Sequence, residues 1–387
     1  MKKTILVLFL VVCLLIPGMT ACGDSVDSTT ASPTNTETTV TTSSPANTTT
    51  TATSTITTSE PSTITFTDSL GREVEIPSEI TKVALSGPLT QIVLFALCPD
   101  RIVGLSNAWD PSAEGFLDTE YYNLPILGQL YGTKGTLNLE TIAATGAQII
   151  IDVGETKANM DTDMDNLQQQ LGIPAVHIAA NTQSIPQAYR ELGALLGLEE
   201  KAEILADYCD EIYTNTIEIM NKIGEEGKAG LLYCLGDRGI NVSARGSYQA
   251  EIIDLIADNL AVVENPTAKG TGNEVDLEQI ILWDPEYILF APDSIYSTVG
   301  DNPAWADITA IKNGNYFEVP LGPYNWMGFP PSVQRYLGMM WLSQLLYPDT
   351  AQYDMYQEVS RYFELFYHCG ITEEQYASLV ANSLGKL

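Results

Sequence analysis

The chain has 387 residues, 45% of them hydrophobic, enough for one large domain or two packed lobes. It carries 49 Asp and Glu against 18 Lys and Arg, a formal net charge of −31, which argues against a nucleic-acid partner because phosphates need basic surface. It has two histidines, His177 and His368, too few and too far apart for a site that grips bare Zn²⁺ or Mn²⁺ with His and carboxylates.

The chain opens with Lys2 and Lys3, an apolar run over 5–16 that is too short for an ordinary membrane span, and then Pro17 and Gly18. "MTAC" follows, with small residues ahead of Cys22. This resembles a bacterial lipoprotein signal over 1–22, which implies cleavage before Cys22 and a lipid on that cysteine; a plain secretory signal is the alternative. Residues 23–63 are rich in Thr and Ser with almost no large apolar side chain, and cannot offset their ordering entropy by burial. They read as a disordered tether that leashes a folded domain to the outer face of the cell membrane. Cys98, Cys209, Cys234 and Cys369 show no metal or redox spacing and read as buried thiols, although an exported protein could pair some of them.

The folded part begins with "ITFTDSLGREVEIP", two alternating apolar runs around a Gly-containing turn, which predicts a hairpin. Short apolar strands follow at 82–86, 101–106, 148–153 and 175–180, each before a helical stretch, and predict a parallel α/β sheet. Within 184–227 the spacing of Leu205, Tyr208, Ile212, Ile219 and Ile223 predicts one long amphipathic helix, with Gly227 as its stop. The α/β rhythm then restarts, with strands at 230–235, 287–291 and 316–320 and a helix at 249–257. Two helices close the chain, one starting near Pro331 and one over 351–367.

One phrase occurs on each side of the long helix. "NLETIAATGAQIII" at 138–151 and "DLEQIILWDPEYIL" at 276–289 align without a gap, Glu140 on Glu278 and 149–151 on 287–289. Asn138 and Asp276 are good helix caps, and both glutamates complement a helix N-terminus. The fold class is therefore α/β: a lobe over 64–183, the helical segment 184–227 and a second lobe over 228–387.

These segments, with "TDSLGREVEIP", "ITKVALSGPLTQIVLFALCPDRIVGLSN" and "NWMGFPPSVQR", resemble the membrane-anchored substrate-binding proteins of bacterial ABC importers, of the class serving iron-siderophore, haem and cobalamin uptake. The resemblance covers about 64–387 and implies two α/β lobes with mostly parallel sheets joined by one rigid helix. It also implies a monomer without a resident cofactor, a cleft that takes a small-molecule metal chelate, and partners in an ABC permease dimer with its cytoplasmic ATPase. It assigns Glu140 and Glu278 to docking, each against an arginine of one permease half, beside the capping role that the residues alone support.

Ligands of open α/β sheets sit beyond the carboxyl ends of the strands. The loops there offer Pro88, Trp109, Tyr131, Lys134 and Glu155 from the first lobe, and Arg245, Tyr248, Tyr324, Trp326 and Phe329 from the second. Aromatic faces and cations suit a flat, partly anionic chelate; packing between loops is the alternative for each aromatic, and a surface ion pair for Arg245. Arg335, inside the last-but-one helix, reads as a structural contact. Many members of the class carry arginine where Phe329 stands, which turns the expectation toward a more apolar or differently charged ligand, such as a corrinoid, haem or a neutral chelate. An oxyanion such as molybdate or tungstate is the alternative cargo, and a surface sensor or adhesin the alternative role. No GxSxG, HExxH or GxxxxGK[ST] is present, so no enzyme is expected.

Overall fold

A hairpin opens the described part of the chain. The computed structural model describes residues 62–131, 137–267 and 270–384, which fall in one compact unit, Ser59–Leu387. The signal, Cys22, nearly all of the tether and Lys134 lie outside them. Strand β1 (Thr63–Thr67) pairs antiparallel with β2 (Glu73–Pro77), Phe66 opposite Val74. In the turn, the Asp68 carboxylate accepts from the backbone N–H of Leu70 and of Arg72, both at 3.0 Å, and pairs with the Arg72 guanidinium.

In the first lobe β3 (Val83–Leu85), β4 (Ile149–Gly154) and β5 (Ala175–Ala179) form a parallel sheet in that order. Helices α1 (Pro88–Leu97), α2 (Leu139–Thr145) and α3 (Met160–Leu171) belong to it. The strand expected at 101–106 is reduced to single bridges, Ile102 to Val83 and Leu105 to Ile126, because the 3₁₀ turn Pro99–Arg101 takes up its start.

Two helices, not one, fill the middle of the chain. Helix α4 (Ile185–Leu196) ends at Gly197 and α5 (Glu199–Ile223) runs back against it for 25 residues, about 37 Å at the usual rise. A side chain at Gly193 would meet the Cβ of Ala202 at 2.5 Å, so glycine is what lets the two helices approach. Leu205, Tyr208, Ile212 and Ile219 are buried as the spacing predicts. The helix stops at Gly224, three residues before the expected Gly227, because Gly224 takes a positive φ of 70°.

The second lobe is a six-stranded mixed sheet: β6 (Gly230–Leu235), β7 (Asn241–Val242), β8 (Asp258–Asn259), β9 (Asn273–Glu274), β10 (Tyr287–Phe290) and β11 (Tyr316–Glu318), in the order β11-β10-β6-β7-β9 with β8 also against β6. Strands β6, β8, β10 and β11 are parallel, while β7 pairs antiparallel with β6 on one side and with β9 on the other. Helices α6 (Glu251–Ile256), α7 (Leu277–Trp283), α8 (Arg335–Leu346) and α9 (Met355–Tyr362) belong to it, and a helix beyond the two expected, Glu373–Leu379, follows them, started by a Thr372–Gln375 capping box. The helix expected near Pro331 starts at Arg335, and the last one continues beyond Tyr362 as a single π turn, Phe363–Tyr367.

Strand alternation distributes the core. Ile149, Ile151 and Val153 of β4, and Leu231, Tyr233 and Leu235 of β6, face one continuous core that runs through α5 and α8 and belongs to both lobes. Ile150 faces a satellite core of the first lobe with Ile142 of α2, and Ile288 and Phe290 face one of the second lobe with Ile280 of α7. The chain crosses back at its end: Phe363 meets Phe116, Phe366 meets Tyr189, and His368 Nε2 donates to the carbonyl of Phe95 at 3.0 Å. Cys98, Cys209, Cys234 and Cys369 are free thiols; burial pushes Cys98 up to about 12 and Cys369 up to about 11, which keeps both protonated and unreactive.

Candidate ligand-binding cleft

The carboxyl ends of β6 and β10 open on a cavity of about 520 Å³. Tyr233, Leu235 and Gly236 come from β6 and its end, and Ala291, Pro292 and Asp293 from the loop after β10. Leu321, Asn325 and Phe329 come from the loop before α8, and Asp110 comes across from the first lobe. Gly270 and Thr271 complete the wall. Next to them Gly272, at φ +68°, lies where a side chain would meet the Val242 carbonyl at 2.7 Å, so the Gly-rich turn is held tight against the sheet.

The polar groups of this wall are tied down. Asn325 Nδ2 donates to the Tyr233 hydroxyl at 3.0 Å and its Oδ1 accepts from the Met327 N–H at 2.8 Å. Asp110 accepts from the Ser112 N–H at 2.8 Å and caps a 3₁₀ turn. Burial pushes the Tyr233 hydroxyl well above its ordinary range, with a smaller push from the Asp293 carboxylate, so it stays neutral. Phe329 stands edge-on to Tyr233 at 5.4 Å.

At the equivalent place in the first lobe there is a closed polar cluster. Asp152 of β4 accepts from the Ser86 hydroxyl and pairs with His177 Nδ1 at 2.7 Å, while His177 Nε2 lies 3.1 Å from the Thr156 hydroxyl. Ser86, Asp152 and His177 are all buried. His177 is a core residue, as its apolar strand predicts.

The two matching phrases fold alike. Asn138 accepts from the Thr141 N–H at 3.0 Å and Asp276 from the Gln279 N–H at 2.8 Å, each capping a seven-residue helix. Ile142 and Ile280 are buried beneath, and Gly146 and Asp284 end the helices in the left-handed conformation. Each helix leads by a short turn into the start of a parallel strand, so its N-terminus lies toward the strands' carboxyl ends, the side on which the cavity opens. Glu140 and Glu278 are exposed there, one on each lobe.

Of the residues singled out in the sequence, Phe329 lines the cavity. Lys134 lies outside the described residues. Trp326 is fully enclosed in the core. Trp109 lies 4.9 Å from Phe95, and its indole N–H donates to the Tyr121 carbonyl. Tyr324 packs 5.5 Å from Trp109 and accepts from Gln91 Nε2 at 2.9 Å, tying the second lobe to α1. Arg245 pairs with Asp258 and donates to the Asn259 carbonyl at 2.6 Å, both on β8, so it is a surface ion pair and not a cleft cation. Tyr248 donates to the Ala180 carbonyl at 2.9 Å and lies under the Arg335 guanidinium. Tyr131 donates to Asp163 at 3.1 Å and carries Lys157 over its ring at 4.4 Å. Pro88 sits in the first turn of α1, and Glu155 is exposed after β4; neither lines this cavity. The other lining residues were not singled out in the sequence; among them Asp110 and Asn325 stand next to residues that were, and Asp293 follows a strand end.

A second set of contacts holds the lobes together. Arg335, 2% exposed, pairs with Glu251 at 2.6 Å, and both meet Thr182 of the first lobe: Glu251 accepts from its N–H at 3.1 Å and its hydroxyl at 2.7 Å. Arg335 is thus the structural contact that the sequence suggested. Among the described residues no group of three His, Cys, Asp or Glu side chains is placed to hold a metal ion.

Residues 99–321 match the family described as periplasmic binding protein. A solved ABC transporter solute-binding protein from Sulfurospirillum deleyianum is 27% identical, covers 82% of this chain and 99% of its own, and superposes with a TM-score of 0.75. A periplasmic solute-binding protein from Veillonella parvula is 24% identical over 84% of this chain and 98% of its own, with a TM-score of 0.67. The molybdate periplasmic binding protein MolA of Haemophilus influenzae, solved with molybdate, is 19% identical over 80% and 99%, with a TM-score of 0.65, a likeness of fold alone. Comparison with curated proteins gave no match.

Proposed function

The chain belongs to the periplasmic binding protein family, of the ABC-transporter type, and from that premise we propose that it captures a metal chelate between its lobes and delivers it to an ABC permease dimer. The chelate is a ferric siderophore, a haem or a corrinoid. The supporting observation is a cavity of about 520 Å³ at the strands' carboxyl ends, within the ordinary range for small-molecule sites and far larger than a tetrahedral oxyanion needs. Glu140 and Glu278 flank the side on which it opens, and in this reading each meets a cation on one permease half. Salt pairing of this kind sets orientation and encounter rate more than affinity.

The protein works as a monomer held to the outer face of the membrane by a lipid on Cys22, with residues 23–63 as the leash. It performs no chemistry on its cargo. The shared core and the Arg335–Glu251–Thr182 contacts favour a small closure on binding. The test is uptake of radiolabelled ferric siderophore, haem and cobalamin by cells carrying the wild-type chain or the double variant Glu140→Ala, Glu278→Ala. Uptake is lost in the double variant while purified protein retains its affinity for the same compound. Undiminished uptake overturns the docking assignment, and failure of the wild type to take up or bind any of the three overturns the chelate.

A further inference from the structure

The cavity carries a carboxylate on each side and, among the described residues, no Lys or Arg in its lining. Asp110 reaches it from the first lobe and the exposed Asp293 from the second. The remaining polar lining is neutral: Tyr233, Asn241, Thr271 and Asn325. Lys269, next to Gly270 in sequence, lies outside the described residues; the described arginines of this lobe nearest the wall are engaged elsewhere. Arg238 pairs with Glu274, Arg245 with Asp258 and Arg335 with Glu251. Around this cavity the whole chain has a net charge of −31, and a cleft with low-dielectric walls focuses such a field toward its interior. An anionic chelate entering here would be repelled by the body of the protein and would then meet two carboxylates.

We infer that the cleft selects a chelate presenting positive charge, held between Asp110 and Asp293, and discriminates against anionic chelates. This rests on the chelate reading above and adds the sign of the cargo's charge. Asp110 is well placed for the task. Its Oδ1 is used by the Ser112 N–H, which fixes the carboxylate and leaves Oδ2 for a cationic group. Asp293 follows β10 directly, at the strand end where recognition residues of α/β proteins concentrate. Phe329 and Tyr233 then supply an edge-on aromatic pair beside the charged groups, which suits the organic shell of a chelator.

The experiment compares two ferric probes of similar size and opposite charge: a trihydroxamate with a pendant ammonium, and a tricatecholate trianion. Binding to the full chain in detergent is read by quenching of tryptophan fluorescence. The wild type prefers the trihydroxamate. Asp110→Asn with Asp293→Asn lowers affinity for that cation by about tenfold or more, the scale of losing charge-assisted contacts, and weakens the tricatecholate less or not at all. Asparagine keeps the cap at Asp110, and a thermal melt matching the wild type shows that the variant folds. A wild type that prefers the tricatecholate, or a double variant with an unchanged preference, overturns the charge assignment and leaves the chelate reading standing. Capture of neither probe overturns the charge assignment, and overturns the chelate reading as well when haem and cobalamin also fail to bind.

Discussion

The two lobes carry the same motif and finish their strands in opposite ways. In the first lobe the strand ends are closed from within: Ser86, Asp152, His177 and Thr156 join β3, β4 and β5 in one hydrogen-bonded cluster. In the second lobe the corresponding ends of β6 and β10 open on the cavity, and Asn325 and Tyr233 satisfy one another at its wall. The first lobe therefore supplies a rigid face and one recognition residue, Asp110, while the second supplies most of the contact surface. A repeated scaffold needs only one of its halves to diverge in order to read a ligand.

The largest expected effect tests whether the lobes are held by a specific contact or by their common core alone. Glu251→Gln leaves the Arg335 guanidinium buried beside Tyr248 and Thr182 without a counter-charge. Removing one partner of such a pair costs about 3 kcal/mol. Urea unfolding monitored by circular dichroism gives the value. A loss under about 1 kcal/mol would assign the joint to the continuous hydrophobic core and make the ion pair incidental.

The next pair of variants addresses the strand ends directly. Asp152→Ala leaves the His177 Nδ1–H without its partner inside the first lobe, while the Ser86 hydroxyl keeps Thr90, at about 2 kcal/mol for a buried polar group without a partner. Its affinity for the ferric trihydroxamate stays that of the wild type. Asn325→Ala removes the partner of both the Tyr233 hydroxyl and the Met327 N–H at the cavity wall, again at about 2 kcal/mol. Its affinity falls. Equal losses of affinity in the two variants would erase the contrast between a closed lobe and an open one.

Much of this contrast was within reach of the sequence, and some of it was not. The strands, the long helix and the matching phrases rest on periodicity and capping, which are local, and the buried face of α5 falls where the spacing puts it. The break at Gly197 and the early stop at Gly224 depend on which glycine takes a positive φ, a choice made by packing. Strand ends point to loops, and those after β10 and before α8 contribute to the cavity wall; which side chain of each loop lines it is decided by packing. In "SNAWD" the half-buried Asp110 lines the cavity and Trp109 fills the core; in "YNWMGF" Asn325 lines the cavity between an enclosed Tyr324 and Trp326. Aromatic bulk is what fills the joint between two lobes, so a bias toward aromatics picked the filler in place of the lining. Gly270 and Thr271, in a Gly-rich stretch that carries no periodicity, also contribute to the wall.

The smallest expected effect concerns the place where the chain's end crosses to the first lobe. His368 sits in the left-handed conformation at φ 57°, packs against Phe95 and donates through Nε2 to the Phe95 carbonyl. Burial is the main influence on its imidazole and lowers the pKa below the ordinary 6.5; nearby Lys201 acts in the same direction, while the carbonyls of Phe95 and Ala96 and the carboxylate of Asp100 oppose it. The sign follows from linkage. Below pH 6.5 the unfolded chain takes up a proton that the folded chain resists, so stability from this residue is complete above 6.5 and declines as pH falls through that value. Asparagine tolerates the left-handed conformation and does not titrate. His368→Asn therefore flattens the fall in thermal midpoint between about pH 6.5 and 5 relative to the wild type, with little change at pH 8. A wild-type midpoint that rises on acidification over this window, with the variant's held flat, would mean that the folded state favours the imidazolium and that the carbonyls, not burial, set the balance.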